Sequence, residues 1–412
     1  MKKLLFIEAN TTGTGMMAIQ KAHSLNVFPV FVTRDPSIYK GLEEQECELM
    51  ICDTNHYEEI LAAIKDAFHS GEIGGITTTS EFYIHTVARL TSALGLTGNP
   101  PEAVAAARNK FAVREKLKQS KTLYQPFYAG VKTEEYLVKK QHEFPIPCIV
   151  KPVDDSGSNG VKVCHDFSDL LNHSRRLLKI KLNTRDQPVV NMVLVEEYVE
   201  GQEYSVECFS FNGKHTLIGI TKKQVGSDPF RVEQGHLFPA DDLSSDVHDC
   251  LEEGAFEILH TLGWFTGPSH IEVKVAEGRL FLVEFNGRLA GGMIPELIRL
   301  SKDIDLLEEQ IKASLGIQPE LHHPSGCYAG IQFIVPRTSG VITEINPIKD
   351  QRVKGIKETR LNVQIGDEVE VARNAYGRIG YTIAVGEDAK NVLSVIQKAS
   401  KQVKIEEKEY SR

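Results

Sequence analysis

No two cysteines in this chain stand in a C-x-x-C spacing, and the seven present (Cys47, Cys52, Cys148, Cys164, Cys208, Cys250 and Cys327) are scattered and odd in number. That argues against a disulfide framework or a cysteine zinc site and points to a reducing, cytoplasmic setting. Long apolar runs are missing too: nothing approaches the roughly 20 residues of a membrane-spanning helix. The opening MKKLLFI starts basic, but Glu8 interrupts it far short of a signal-peptide core. Basic charge is not in excess either. The 47 Lys and Arg against 56 Asp and Glu leave a net charge of -9, the wrong sign for general binding to nucleic acid or an anionic membrane. Repeats and low-complexity tracts are absent as well. What remains is a globular protein acting on small ligands.

The 412 residues, 41% hydrophobic and 25% charged, suit two to three ordinary domains. The first hundred alternate strand and helix. Lys3 to Ala9 reads as a buried strand, Asn10 to Gly15 as a loop, Met16 to Leu25 as a helix and Val27 to Thr33 as a strand. Further strands near Leu49 to Cys52 and Gly74 to Thr78 alternate with helices near Tyr57 to Phe68 and Phe82 to Leu94. This is the pattern of a parallel α/β sheet of Rossmann type. Gly13, Gly15 and Ala18 fit G-x-G-x-x-A, with Asp35 at the distance of a ribose-binding acid, so a dinucleotide-dependent oxidoreductase stands as one reading. A glycine loop that turns tightly or holds another ligand is the other. The crevice at the strand ends also includes Thr77 to Glu81, where Glu81 suits either a substrate ammonium or a helix cap.

Asn99-Pro100-Pro101 breaks the chain, and a helix from Glu102 to Gln119 carrying Lys110 is expected beyond it. In IPCIVKPVDDSGSNGVKV a strand ends at Lys151, and a loop from Asp154 to Gly160 contains Ser156, Gly157, Ser158 and Gly160. Successive N–H groups on such a loop wrap phosphate oxygens, with Lys151 as a point charge. It is not a Walker A loop, because it lacks the G-K-[ST] ending and leads into a strand. A long flexible hairpin loop is the plainer alternative. In VLVEEYVEGQEYSVE, the connection Glu196, Glu197, Tyr198, Val199 suits a flat base, and Glu203 suits a hydroxyl. His236, in a later loop, is a candidate for touching substrate.

The chain is organised around HIEVKVAEGRLFLVEFNGRLAGG, His270 to Gly292. A three-residue hairpin loop, Ala276 to Gly278, is expected, with Val275 facing Arg279 and Glu272 facing Leu282. Period-two alternation then puts Glu272, Glu284, Asn286 and Arg288 on one face. Carboxylate and amide oxygens are hard ligands suited to Mg²⁺ shared with phosphate, and Arg288 suits a phosphate or a developing oxyanion. A solvated face of ordinary charges is the bland alternative. After Pro324 come short strands, a helix from Ala389 to Ser400, and a tail from Lys404 expected to fray.

Lys110, Lys151, the Asp154 to Gly160 loop, Glu196 to Val199, Glu203, and Glu272 with Glu284-x-Asn286-x-Arg288 stand in the order found in the ATP-grasp superfamily. With VEQGHLFPA, RLAGGMIPEL and GYTIAVG, the chain most resembles the bacterial L-amino acid ligases, dipeptide synthetases. RNKF departs from the D-K pair that commonly precedes the first lysine. The resemblance implies an ATP-grasp fold, α/β and α+β. A Rossmann-like domain over 1–100 precedes an ATP-grasp domain of two α+β subdomains over 101–320 and a small αβ domain over 321–412. It implies ATP on Lys110, Lys151, Ser156, Gly157, Ser158, Gly160, Glu196, Glu197, Tyr198, Val199 and Glu203. Two Mg²⁺ ions, with Mn²⁺ as substitute, would lie on Glu272, Glu284 and Asn286. Catalysis would involve Arg288, Lys151 and Glu284, and substrate would meet Glu81, His236, Arg288 and Gly291. The implied reaction joins two amino acids through an acyl phosphate. Loading a carrier-protein thiol, or another amine acceptor, is the alternative, and a homodimer is the implied assembly. The resemblance leaves the dinucleotide reading remote.

Overall fold

The computed structural model describes residues 2–11, 14–69, 71–226, 230–324, 326–345, 354–399, 401 and 403–407. Strand β1 (Lys3–Ile7), apolar and buried beyond its first residue, lies between β2 (Phe28–Thr33) and β4 (Ile73–Thr77), parallel to both. β3 (Glu48–Ile51) completes the order β3-β2-β1-β4, and α1 (Thr14–Ser24), α2 (Tyr57–Ala67) and α3 (Ile84–Leu94) alternate with the strands. Near-continuous apolar strands are what a parallel sheet covered on both faces requires.

The helix expected over Glu102 to Gln119 is two helices, α4 (Pro101–Ala107) and α5 (Lys110–Lys116). Asn109 stands extended between them, and its side chain accepts from the Ala112 N–H at 3.1 Å, capping α5. The Lys110 N–H donates to the Val153 carbonyl at 2.8 Å, fixing this helix start to the glycine loop.

An antiparallel sheet follows in the order β5-β8-β6-β7, from β5 (Tyr128–Val131), β6 (Cys148–Pro152), β7 (Lys162–Cys164) and β8 (Val193–Glu197). Helices α6 (Glu134–Lys139) and α7 (Phe167–Leu178) pack on the face bearing Cys148, Val150, Val193 and Val195. Alternation therefore turns Lys151 and Glu196 to the opposite face.

The largest sheet has eight strands in the order β13-β12-β9-β10-β11-β14-β18-β16. Its members are β9 (Gln202–Phe211), β10 (Lys214–Val225), β11 (Glu233–Phe238), β12 (Gly267–Ala276), β13 (Arg279–Asn286), β14 (Tyr328–Ile334), β16 (Ile356–Leu361) and β18 (Gly380–Gly386). Helix α8 (Ser245–Leu262) buries Leu251, Ile258 and Leu259 against it. Helices α9 (Ile294–Lys302) and α10 (Leu306–Ser314) link its core to that of the first sheet. The sheet runs without a break across position 320: β14 pairs with β11 on one side and β18 on the other, under α11 (Ala389–Ala399). A small sheet joins β15 (Gly340–Ile345), β17 (Glu368–Val369) and β19 (Val403–Glu407). The tail expected to fray from Lys404 is thus part of a strand as far as Glu407.

The hairpin β12–β13 reaches the expected face by a different route. Its turn has two residues, Glu277 and Gly278, with φ of 50° and 73°, and Ala276 pairs with Arg279. Positive φ at both central positions is the I′ geometry that matches strand twist. Alone, this shorter turn would send Glu272 to the wrong face. A bulge cancels it: Val273 pairs with Leu282 and Glu272 with Glu284, leaving Val283 unopposed.

Candidate active site

Glu272 and Glu284 are cross-strand partners, and His270 faces Asn286 one pair along on the same side. Glu284 Oε1 lies 3.0 Å from Lys110 Nζ, and Lys110 also donates to the Asp155 carbonyl at 2.6 Å. The carbonyl of the bulged Val283 accepts from Lys151 at 3.1 Å and from Arg114 at 2.9 Å. These contacts bring Lys110, Lys151, Glu272, Glu284 and Asn286 together from three separate parts of the chain. Among the described residues no group of three or more His, Cys, Asp or Glu side chains forms a metal cage. Two carboxylates and an amide are instead a partial set of hard donors, the kind a Mg²⁺ ion completes with phosphate oxygens and water.

Lys151 Nζ and Arg114 Nε each lie 2.6 Å from one oxygen of Glu196, and all three side chains are buried. Burial pushes the Glu196 carboxyl up, but the Arg114 and Lys151 charges outweigh it and hold the group low. Burial lowers Lys151, and Glu196 only partly offsets this. Glu196 and Glu197 are corrected from a free base-binding connection to the last residues of β8. The Glu196 backbone pairs with Tyr128 and Ile149, and the Glu197 N–H donates to the Phe127 carbonyl. The connection proper begins at Tyr198, whose ring lies under Lys274 and Arg231, while the Val199 carbonyl accepts from Lys274 at 2.8 Å. In the glycine loop, Gly157, Ser158 and Gly160 have φ of 70°, 59° and 70°. Their N–H groups make no hydrogen bond among the described residues.

Lys223, which no motif singles out, is buried among three carboxylates: Glu233 and Glu272 at 2.7 Å and Glu203 at 3.2 Å. Burial lowers Lys223, but Glu233, Glu272 and Glu203 overwhelm that and raise it well above the usual lysine value. Glu203, expected to meet a hydroxyl, is thus partnered by an ammonium. Burial likewise raises Glu272, but Lys223 and His270 bring it below the ordinary range. His270 donates to Glu207 at 2.9 Å and to Glu272 at 3.1 Å; burial lowers its pKa, but these carboxylates, Glu207 foremost, bring it up to about 9. His236 is buried in β11 with no hydrogen bond on either ring nitrogen among the described residues, and burial takes its pKa down to about 3. Gly292 packs against it so closely that a Cβ would stand 2.5 Å from Nε2, whereas a Cβ on Gly291 would meet nothing within 4 Å. Arg378, also absent from the motifs, reaches Glu233 Oε2 at 2.5 Å.

Glu81 is buried, and both of its oxygens face guanidiniums: Arg288 Nε at 2.7 Å and Arg108 at 3.0 Å. Burial pushes this carboxyl up, but Arg288 and Arg108 hold it below its usual value. The expectation that Glu81 awaits an ammonium is therefore corrected: arginine charges already meet it. Arg288 also donates to the Leu289 carbonyl at 2.8 Å. In the first-sheet crevice, Gly13 lies outside the described residues, and Asp35 caps its own turn by accepting from the Ser37 N–H. Protein side chains occupy the crevice. Glu8 accepts from Thr33, Thr54, Tyr39 and the Arg34 N–H, and Arg185 donates to Tyr39 and the Ala9 carbonyl. No helix among the described residues is long and apolar enough to cross a membrane.

Two family models match the chain: an ATP-grasp domain over residues 144–296 and an L-amino acid ligase C-terminal domain 2 over 332–408. The chain is 28% identical over 400 residues to uncharacterized protein y4rH of Sinorhizobium fredii, covering 97% of this chain and 82% of that one. It is 30% identical over 233 residues to dapdiamide A synthase of Enterobacter agglomerans, covering 55% of this chain and 53% of that one. The crystal structure of an L-amino acid ligase from Bacillus licheniformis superposes with a TM-score of 0.81 at 18% identity, over 99% of both chains.

Proposed function

The chain is an ATP-grasp carboxylate–amine ligase, and from that premise we propose that it joins two L-amino acids into a dipeptide, with ADP and phosphate as co-products. The reading rests above all on the convergence of Lys110, Lys151, Glu272, Glu284 and Asn286 around the Val283 bulge. In this reading, ATP lies between the β5–β8 sheet and the eight-stranded sheet, with its phosphates on Lys110, Lys151 and the free N–H groups of Gly157, Ser158 and Gly160. Glu272, Glu284 and Asn286 would hold Mg²⁺, which supplies charge compensation for the phosphoryl group.

The donor carboxylate takes the γ-phosphoryl group to become an acyl phosphate. The acceptor amine attacks its carbonyl and loses a proton, and phosphate departs as the C–N bond closes. Arg288, held by Glu81, faces the negative charge that develops on phosphoryl transfer and again on amine attack. Closure of the Asp154 to Gly160 loop keeps water from the acyl phosphate. A cytoplasmic setting is in keeping with free cysteines at all seven positions.

A phosphate-release screen over pairs of amino acids with ATP and Mg²⁺, products read by mass, tests the proposal. A dipeptide formed with stoichiometric phosphate supports it. Release only with a phosphopantetheinyl carrier would replace it with carrier loading.

A further inference from the structure

A ligase that joins two amino acids consumes one carboxylate and must carry a second through the reaction untouched. The reacting carboxylate belongs beside Arg288 and the Glu272–Glu284 pair. The other needs a cation elsewhere, and most cations of the site are already committed. Lys110 is paired with Glu284, Lys151 with Glu196, and Arg108 with Glu81 and the Asp154 carbonyl, while Lys223 sits among three carboxylates.

Arg378 is different. It enters from the segment between β17 and β18, lies over the face of Phe333 at 3.9 Å, and is anchored through one terminal nitrogen on Glu233. Its Nε–H is buried without an acceptor among the described residues. His236 meets the same Glu233 oxygen at 3.8 Å and stands edge-on to the same Phe333 ring, and both of its nitrogens lack a partner. Buried donors without acceptors are rare and destabilising, so two of them around one ring mark a place where an acceptor is expected to arrive. Gly292 lies against the His236 ring, where any side chain would strike it, while the space at Gly291 is open. A carboxylate matches: one oxygen on the Arg378 Nε–H, the other on the imidazole N–H.

We propose that Arg378 binds the carboxylate of the amine-bearing substrate and so makes the enzyme selective for amino acids over simple amines as acceptors. The proposal rests on the ligase reading above.

The test uses the full chain, ATP and Mg²⁺, with an acceptor amino acid compared with its own carboxamide. Hydroxylamine serves separately to trap the acyl phosphate as hydroxamate. Wild type is expected to favour the free acid by about 10²-fold in kcat/KM, as expected where a charged recognition contact is lost. Arg378→Met should bring that preference below about tenfold, and Arg378→Lys should keep part of it. The ratio of ligation to hydroxamate formation should fall at least about tenfold in Arg378→Met. An acid-to-amide preference that is equal in wild type and both variants, or absent in wild type, overturns the proposal. So does hydroxamate formation falling in step with ligation, which would make Arg378 a structural residue. A wild type that yields neither hydroxamate nor phosphate with any amino acid refutes the ligase reading itself, and this proposal with it.

Discussion

Arg288 Nε lies 2.7 Å from Glu81 Oε2, so the guanidinium assigned to the reacting carboxyl, just past the end of β13, is held by a carboxylate from the 3-10 turn Glu81–Tyr83 that follows β4. Arg288→Lys keeps the charge but loses the planar fork that meets both Glu81 and the Leu289 carbonyl. Turnover should fall by roughly 10², the scale of one oxyanion donor, with ATP-analogue affinity changed by less than about threefold. Glu81→Gln should lower turnover by about 10-fold through loss of that anchor. Calorimetry with the analogue, beside amide formation read by mass, separates the two effects. Equal losses in both would put Arg288 on the nucleotide.

Glu284→Gln should abolish ligation while leaving the fold intact. The substitution removes a charge where transferring phosphate needs a metal, and the partly exposed side chain leaves Lys110 its contact with the Asp155 carbonyl. Near wild-type phosphate release at limiting Mg²⁺ would remove Glu284 from the ligand set.

Amide exchange over Ser156 to Gly160 should be fast in the free protein and slowed by an ATP analogue with Mg²⁺. Small residues give this loop little to pack, and its free N–H groups need acceptors. Equal exchange with and without nucleotide would count against a lid.

His270 offers a pH test. A group raised from 6.5 in the unfolded chain to about 9 in the fold stabilises most below pH 6.5, and that contribution is lost as pH rises through about 9. The amount is on the order of 3 kcal/mol. Urea midpoints of metal-free protein should therefore fall between pH 6.5 and 9, and His270→Gln should flatten the decline in that window. An equal decline in both proteins would show that the histidine is not charged between Glu207 and Glu272.

The first sheet is legible in the sequence because parallel strands buried on both faces are apolar at almost every position, as LLFI and VFV are. E-x-N-x-R is legible because β-strand alternation is local. The register behind it is not: a loop taken one residue too long and the unseen bulge at Val283 each move the partner of Glu272 by one residue in the same sense, from Leu282 to Glu284, and a shift of two restores the face. Lys223 and Arg378 carry no signature, because they meet Glu233 only through strand order; Arg378 and Glu233 are 145 residues apart. The reading of Glu81 as an ammonium partner fails for the same reason. A lone acid in a crevice looks unpaired until a distant arginine is folded onto it.

β14 and β18 lie between β11 and β16, inside the eight-stranded sheet. A chain cut near 320 would uncover Glu233 to Phe238 as an open edge, with unpaired N–H and C=O groups ready to template another strand. The truncated protein would then be prone to self-association and would also lack Arg378. The last ninety-odd residues are for this reason not a detachable module. Grafting the corresponding segment from a relative would have to reproduce the β11–β14 ladder before any change in acceptor choice could be read.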